Sequence, residues 1–321
     1  MVVASVAGAF KRARAHSVQH MAACERAQLR WGETAVSEIV MSRAAAAVSV
    51  VPFTQNAEAV SGADWVWWWV DSTSAYGMLV QAKRLTMHHG RWRFDFGYPG
   101  GAGRQRANLR STAASLDLIP VYALYLGTGE YRNWEPCPDD HRGRRCPSCV
   151  KRSISLMPAL LADPAIVHDS AITYERSVAL EDLWTPSPGR ALPIPTLLEQ
   201  MDPDLVSFLL SPQKGARAVA KSVIDRVLRV RAGQFSAVSS SASSMMDEGG
   251  HDQLGPVFPD VPSDTGHWGV PYFKHVLDPL RHVPPDYVLE IESRELDANE
   301  LASNMPDDVA GVVVVRLPQN G

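Results

Sequence analysis

Residues 63–70 alternate Trp65, Trp67 and Trp69 with Val66, Trp68 and Val70, so an extended chain here is apolar on both faces. A strand of that kind has to lie inside a sheet that is covered on both sides. Helices are the usual cover, so the segment predicts a layered α/β architecture. The chain has 321 residues, 45% hydrophobic and 21% charged, which describes a folded globular protein with room for one large or two modest cores. Its formal net charge is −4, which excludes a generic nucleic-acid coat. Contact with nucleic acid therefore requires local basic patches.

Periodicity supplies the neighbouring elements. Residues 18–47 read as a helix, with Leu29, Glu33, Val36 and Val40 in one stripe and Glu38 on the opposite side. Residues 48–54, 76–85 and 119–126 read as strands. A Gly-rich connection leads into a helix over 104–116 whose inner stripe is Gln105, Leu109, Ala113 and Leu116. Helix, three strands, helix and strand give a mixed central sheet of about four strands flanked by helices, with one crossover. This core is expected over residues 18–130, followed by a Cys/His loop over 131–152 and a helical extension over 153–235. Within that extension short helices are expected at 154–161 and 177–183, and a longer helical pattern at 197–231. A Ser/Ala-rich and then acidic Gly/Pro stretch over 236–265 reads as a linker, and 266–321 as a C-terminal extension with strands at 287–292 and 310–317.

The chemistry-bearing residues sit on these strands. Asp64 opens the tryptophan strand, and Gln81 and Lys83 share one face of the next, with Ala82 on the other. A carboxylate, an amide and an ammonium gathered on one side of a sheet suit divalent-metal hydrolysis of phosphodiesters. Asp64 is expected to bind Mg²⁺ or Mn²⁺, with Gln81 as a further oxygen ligand. Lys83, expected at an open site, would position the attacking water and offset charge growing on the phosphoryl oxygens. Glu33 would hold a metal-bound water or a second ion, and Gln105 would support the group from the following helix. Between Lys83 and Arg110 there are seven Lys or Arg against one acid, Asp95. Of these, Arg84, Arg91, Arg104 and Arg106, with Gln105, are candidate phosphate contacts, against the plainer reading of a solvated face. Cys137, His141, Cys146 and Cys149 form a C-x3-H-x4-C-x2-C run that suits structural Zn²⁺, against the alternative of a surface loop that binds nothing. No Gly-rich stretch has the context of a phosphate-binding P-loop, and no Ser/His/Asp constellation stands out.

Glu33, Gly62-Ala63-Asp64, Gln81-Ala82-Lys83 and Gln105, in that order, resemble the PD-(D/E)XK nuclease superfamily. The resemblance is to its Mrr-like branch, which carries Gln-x-Lys where most members have an acid before the Lys. It covers about residues 26–126 and implies a restriction-endonuclease-like core that cleaves nucleic acid, DNA rather than RNA, in bacterial defence or DNA processing. The strings Arg30-Trp31-Gly32-Glu33, Gly62-Ala63-Asp64-Trp65 and Gln81-Ala82-Lys83-Arg84 are also similar to an uncharacterised bacterial domain family. The rival expectation is a catalytically inactive protein of the same fold that binds nucleic acid or protein. Nucleic acid is the expected partner and a homodimer the candidate assembly. A cytoplasmic location without membrane association is expected, because no apolar run reaches the roughly 20 residues that span a bilayer. Lys11, Arg12 and Arg14 also follow the apolar start, where a signal peptide would put charge first.

Overall fold

The computed structural model describes residues 5–53, 64–88, 91–94, 96, 103–126, 146–162, 173, 176–185, 203–242, 276–294 and 297–318. Two helices open the chain, α1 (Val6–Arg26) and α2 (Glu33–Ala44), where one had been expected over 18–47. The break has a local cause. Gln28 takes a left-handed φ of 58° and Gly32 is extended, so the helix cannot run on. Leu29 falls in the gap and is exposed, and Glu33 becomes the first residue of α2 rather than a member of a continuous stripe. The first helix starts well ahead of residue 18 because Ser5 caps it, accepting the Gly8 N–H at 3.1 Å.

The core then follows the expected order with one strand added, β4: β1 (Val48–Pro52), β2 (Asp64–Val70), β3 (Ala75–His88), β4 (Arg91–Phe94), α3 (Gly103–Ser115) and β5 (Ile119–Tyr125). Beyond it lie α4 (Pro147–Lys151), β6 (Ile154–Pro158), β7 (Val178–Ala179), α5 (Pro203–Leu210), α6 (Gly215–Ala242), β8 (Leu280–Arg281), α7 (Asp286–Ser293), α8 (Ala298–Asn304) and β9 (Val309–Arg316). The sheet has nine strands among the described residues, not about four, in the order β1-β9-β2-β3-β5-β6-β7, with β4 and β8 also paired to β3. The β2–β9 and β3–β5 pairs are parallel and the others antiparallel.

Several expectations fail for identifiable reasons. Residues 154–158 form a strand rather than a helix because they pair antiparallel with β5 on one edge and β7 on the other, with all five residues buried. Residues 177–183 give a two-residue strand and a single 3-10 turn. Residues 286–293 are helical rather than extended, with Pro285 at the cap, Asp286 in the first turn, and Val288 and Ile291 buried at three-residue spacing. The backbone of α6 continues to Ala242, into the stretch expected to be linker. The C-terminal strand is not peripheral. It inserts between β1 and β2 and runs parallel to the tryptophan strand.

Both faces of β2 are covered, as its alternation requires. Phe10 of α1 stacks on Trp67 and approaches Trp69 and Trp184, with ring centroids 6.2, 6.0 and 5.5 Å apart. On the other face the Trp68 indole donates to the Tyr287 hydroxyl of α7 at 2.8 Å. The β2–β3 turn is tied to α6 through Asp71. One carboxylate oxygen accepts the Thr73 and Ser74 N–H groups at 2.8 and 2.9 Å, and the other accepts the Ala216 N–H at 2.7 Å. Burial pushes the Asp71 carboxyl up, but the N–H donors of Ala216 and Thr73 outweigh it and hold it below the usual carboxylate range. Its contribution is therefore present at neutral pH and lost on acidification. Gly215 has φ 59°, and a Cβ there would overlap the Asp71 carboxylate. Gly215→Ala is expected to cost about 2 kcal/mol or more, from left-handed strain plus displacement of Asp71. Urea unfolding at pH 7 measures it.

Candidate functional site

Asp64 is the first residue of β2 and lies beside Gln81 of the antiparallel β3, one pair beyond Trp65 and Val80. Cross-strand neighbours share a face, so Asp64, Gln81 and Lys83 project to the same side of the sheet. All three are buried, at 3%, 2% and 5% exposure. The Gln81 Nε2 donates to Asp64 Oδ1 at 2.8 Å, and the Lys83 Nζ donates to the Gln105 Oε1 of α3 at 2.8 Å. The expected Gln105 stripe is thus real, and it sets α3 over this face. Burial of Lys83 departs from the open position expected for it. The ammonium is sustained there by Gln105 and by the nearby Asp64 carboxylate.

Burial pushes the Asp64 carboxyl from 3.8 up to about 7. The Gln81 hydrogen bond and Lys83 act against that rise, and the charge of Asp308 adds to it. Asp308 lies in the turn that leads into β9. Its carbonyl accepts the Asp64 N–H at 3.0 Å, and its carboxylate accepts the Thr112 hydroxyl of α3 at 2.7 Å. The β2–β9 register shifts by one residue just after Asp64, a bulge of the sort that re-aims side chains beside active sites. Tyr122 of β5 pairs with Gln81 across the sheet, and its buried hydroxyl has no hydrogen-bond partner among the described residues. Burial raises the Tyr122 phenol far enough to keep it neutral, with Arg106 opposing and Asp64 adding to the effect. Asp308, Thr112 and Tyr122 were not singled out from the sequence. Nothing local marks them, because they reach Asp64 only through long-range pairing.

The remaining expected site residues divide by position. Glu33 begins α2, which packs on the opposite face of the sheet. Its Oε1 accepts the backbone N–H of Arg84 at 2.7 Å, one residue past Lys83. The Arg84 side chain alternates onto that same opposite face, where it donates to the Trp31 carbonyl at 2.8 Å. Arg106 is buried on α3, close enough to Tyr122 to act on its phenol; Arg91 belongs to β4 and Arg104 to α3. Cys137 and His141 lie outside the described residues. Cys146 caps α4 and is buried together with Cys149. Among the described residues no three His, Cys, Asp or Glu side chains group to hold a metal.

Mg²⁺ does not need such a cage. It is commonly held by one or two carboxylates, keeping waters and substrate oxygens in its other positions. The Gln81 Oε1 is buried and has no hydrogen-bond partner among the described residues, while its amide nitrogen is committed to Asp64. An orphaned oxygen beside a carboxylate fits a hard cation. A cavity of about 410 Å³ lies on the other face, lined by Met41, Phe53, Trp65 and Ala82 with Glu33 and Glu38. Its described lining contains two carboxylates and no Lys or Arg, which is unsuited to a phosphate. No helix among the described residues is long and apolar enough to cross a membrane.

The model of a family of unknown function, DUF6615, matches residues 7–319, and the chain belongs to that family. The match spans the core, the later elements and the inserted β9 alike. No curated protein and no solved structure matches the sequence.

Proposed function

We propose that this member of the DUF6615 family hydrolyses phosphodiester bonds of nucleic acid, DNA in the first instance, with a divalent cation held at Asp64 and Gln81. The observation that carries this reading is the alignment of Asp64, Gln81 and Lys83 on one face, with the Gln81 oxygen left over. The resemblance to the PD-(D/E)XK superfamily supports it, and bacterial defence or DNA processing is the setting proposed with it. When bound, Mg²⁺ or Mn²⁺ would polarise a phosphoryl oxygen and make a water more acidic. The chain's own residues do the rest. Gln105 aims the Lys83 ammonium, which offsets charge developing on the phosphoryl oxygens. Arg106 lies toward the same face and adds positive charge for the phosphate. Tyr122, neutral and buried, has a hydroxyl proton to donate.

The direct test is plasmid nicking by purified protein with Mg²⁺ or Mn²⁺. Cleavage is expected with either ion and is expected to stop on addition of EDTA. The second reading, a non-catalytic binding module, draws on the burial of all three side chains, since a paired internal network can serve the fold alone. Absence of nicking across divalent ions and across single- and double-stranded substrates would select it.

A further inference from the structure

The charge at the site points beyond the residues that the strand alternation delivers. Asp64 supplies one negative charge, and its partner Gln81 is neutral. A divalent cation held by an acid and an amide is under-compensated, and Mg²⁺ or Mn²⁺ sites usually recruit further hard oxygens. The second carboxylate nearby comes from the far end of the chain. Because β9 inserts between β1 and β2, the turn before it brings Asp308 alongside the start of β2, where its carbonyl accepts the Asp64 N–H at 3.0 Å. Thr112 of α3 donates to one Asp308 carboxylate oxygen at 2.7 Å, which fixes the side chain between the helix and the strand end. The α3 helix is also the one that supplies Gln105 to Lys83, so one element orients both the ammonium and this carboxylate.

An independent observation says that a ligand belongs here. Gln81 is 2% exposed, its nitrogen is bound to Asp64, and its Oε1 has no hydrogen-bond partner among the described residues. Buried acceptors are left unpaired rarely and at a cost of about 1–3 kcal/mol, which a cation would remove. The charge of the half-buried Asp308 acts unfavourably on the buried Asp64 carboxylate, and a cation bound by both would relieve that as well.

We propose that Asp308 is a second carboxylate ligand of the divalent cation at this site, delivered by the inserted C-terminal strand and held by Thr112. The inference rests on the metal-site reading above and assigns to the chain's last strand a direct part in it. It also gives β9 a reason to lie beside β2 besides completing the sheet.

The test is Mn²⁺ titration by calorimetry on the full chain at pH 8, without nucleic acid. Wild type, Asp64→Asn and Asp308→Asn are compared, with melts in EDTA to verify folding. Asn at 308 keeps an acceptor for Thr112 and removes only the charge. The expected result is a loss of affinity of about tenfold or more in each variant. Loss in Asp64→Asn with Asp308→Asn within twofold of wild type would overturn this proposal and leave the Asp64 site standing. Wild-type binding that neither variant weakens, or no wild-type binding at millimolar Mn²⁺, would reject the site itself and the proposal with it. Should Asp308→Asn fail to fold, Thr112→Val decides. It keeps the charge and unties the side chain, so weakening of about threefold or more is expected, and unchanged affinity overturns the proposal.

Discussion

Lys83→Met is expected to lower metal-dependent nicking of plasmid DNA by about 10²–10³-fold while the protein stays folded. The side chain is 5% exposed, so truncation to Ala would open a cavity and confuse loss of chemistry with loss of stability. Met keeps the unbranched shape and removes only the charge and its hydrogen bonds. The Gln105 Oε1 then loses its donor from Lys83, a cost of about 1–3 kcal/mol that should appear as a modest drop in melting temperature. Activity should fall much further than that drop explains. Comparing nicking rates with a thermal melt of the same preparation separates the two. Nicking that survives Lys83→Met would remove Lys83 from the reaction.

Asp64→Asn is expected to stabilise the metal-free protein at pH 8 even as it abolishes cleavage. In the folded chain the Asp64 carboxyl keeps its proton until about pH 7, chiefly because it is buried, while the unfolded chain releases it near 3.8. Between those values the folded state binds more protons, so stability falls as pH rises. The difference corresponds to about 4 kcal/mol, present in full below the lower value and lost above the upper one. An amide at this position escapes the penalty and can still accept the Gln81 N–H. The variant should therefore melt well above wild type at pH 8 and close to it near pH 4. Adding Mn²⁺ at pH 8 should raise the wild-type melt and raise the variant's much less. Equal melts for the two proteins at pH 8 without metal would show that Asp64 carries no such penalty.

How much of this could be read from the sequence depends on the distance over which each residue meets its partners. Asp64, Gln81 and Lys83 were legible because strand alternation is local and sets their face directly. Gln105 was legible from the helical stripe it shares with Leu109 and Ala113. Glu33 was misplaced because the apolar spacing across Gln28 and Gly32 imitates one continuous helix. A left-handed residue and an extended glycine interrupt it instead. Residues 287–292 read as a strand through Val288, Leu289 and Ile291. Pro285 at the cap, Asp286 in the first turn and the burial of Val288 and Ile291 on one side make the segment a helix instead. The Trp68–Tyr287 hydrogen bond then docks it on the sheet. Asp308 and Tyr122 were invisible for a different reason. Their place beside Asp64 comes from sheet order, and no window of sequence shows that residues 309–316 lie between β1 and β2.

The measurement closest to the central claim is a crystal of the full chain soaked in Mn²⁺, with the ion located by its anomalous scattering. One ion is expected, bound by the Asp64 carboxylate and the Gln81 Oε1 at about 2.0–2.3 Å, with Lys83 still aimed by Gln105. An ion bound elsewhere, or a Gln81 oxygen still without a ligand at saturating Mn²⁺, would contradict it.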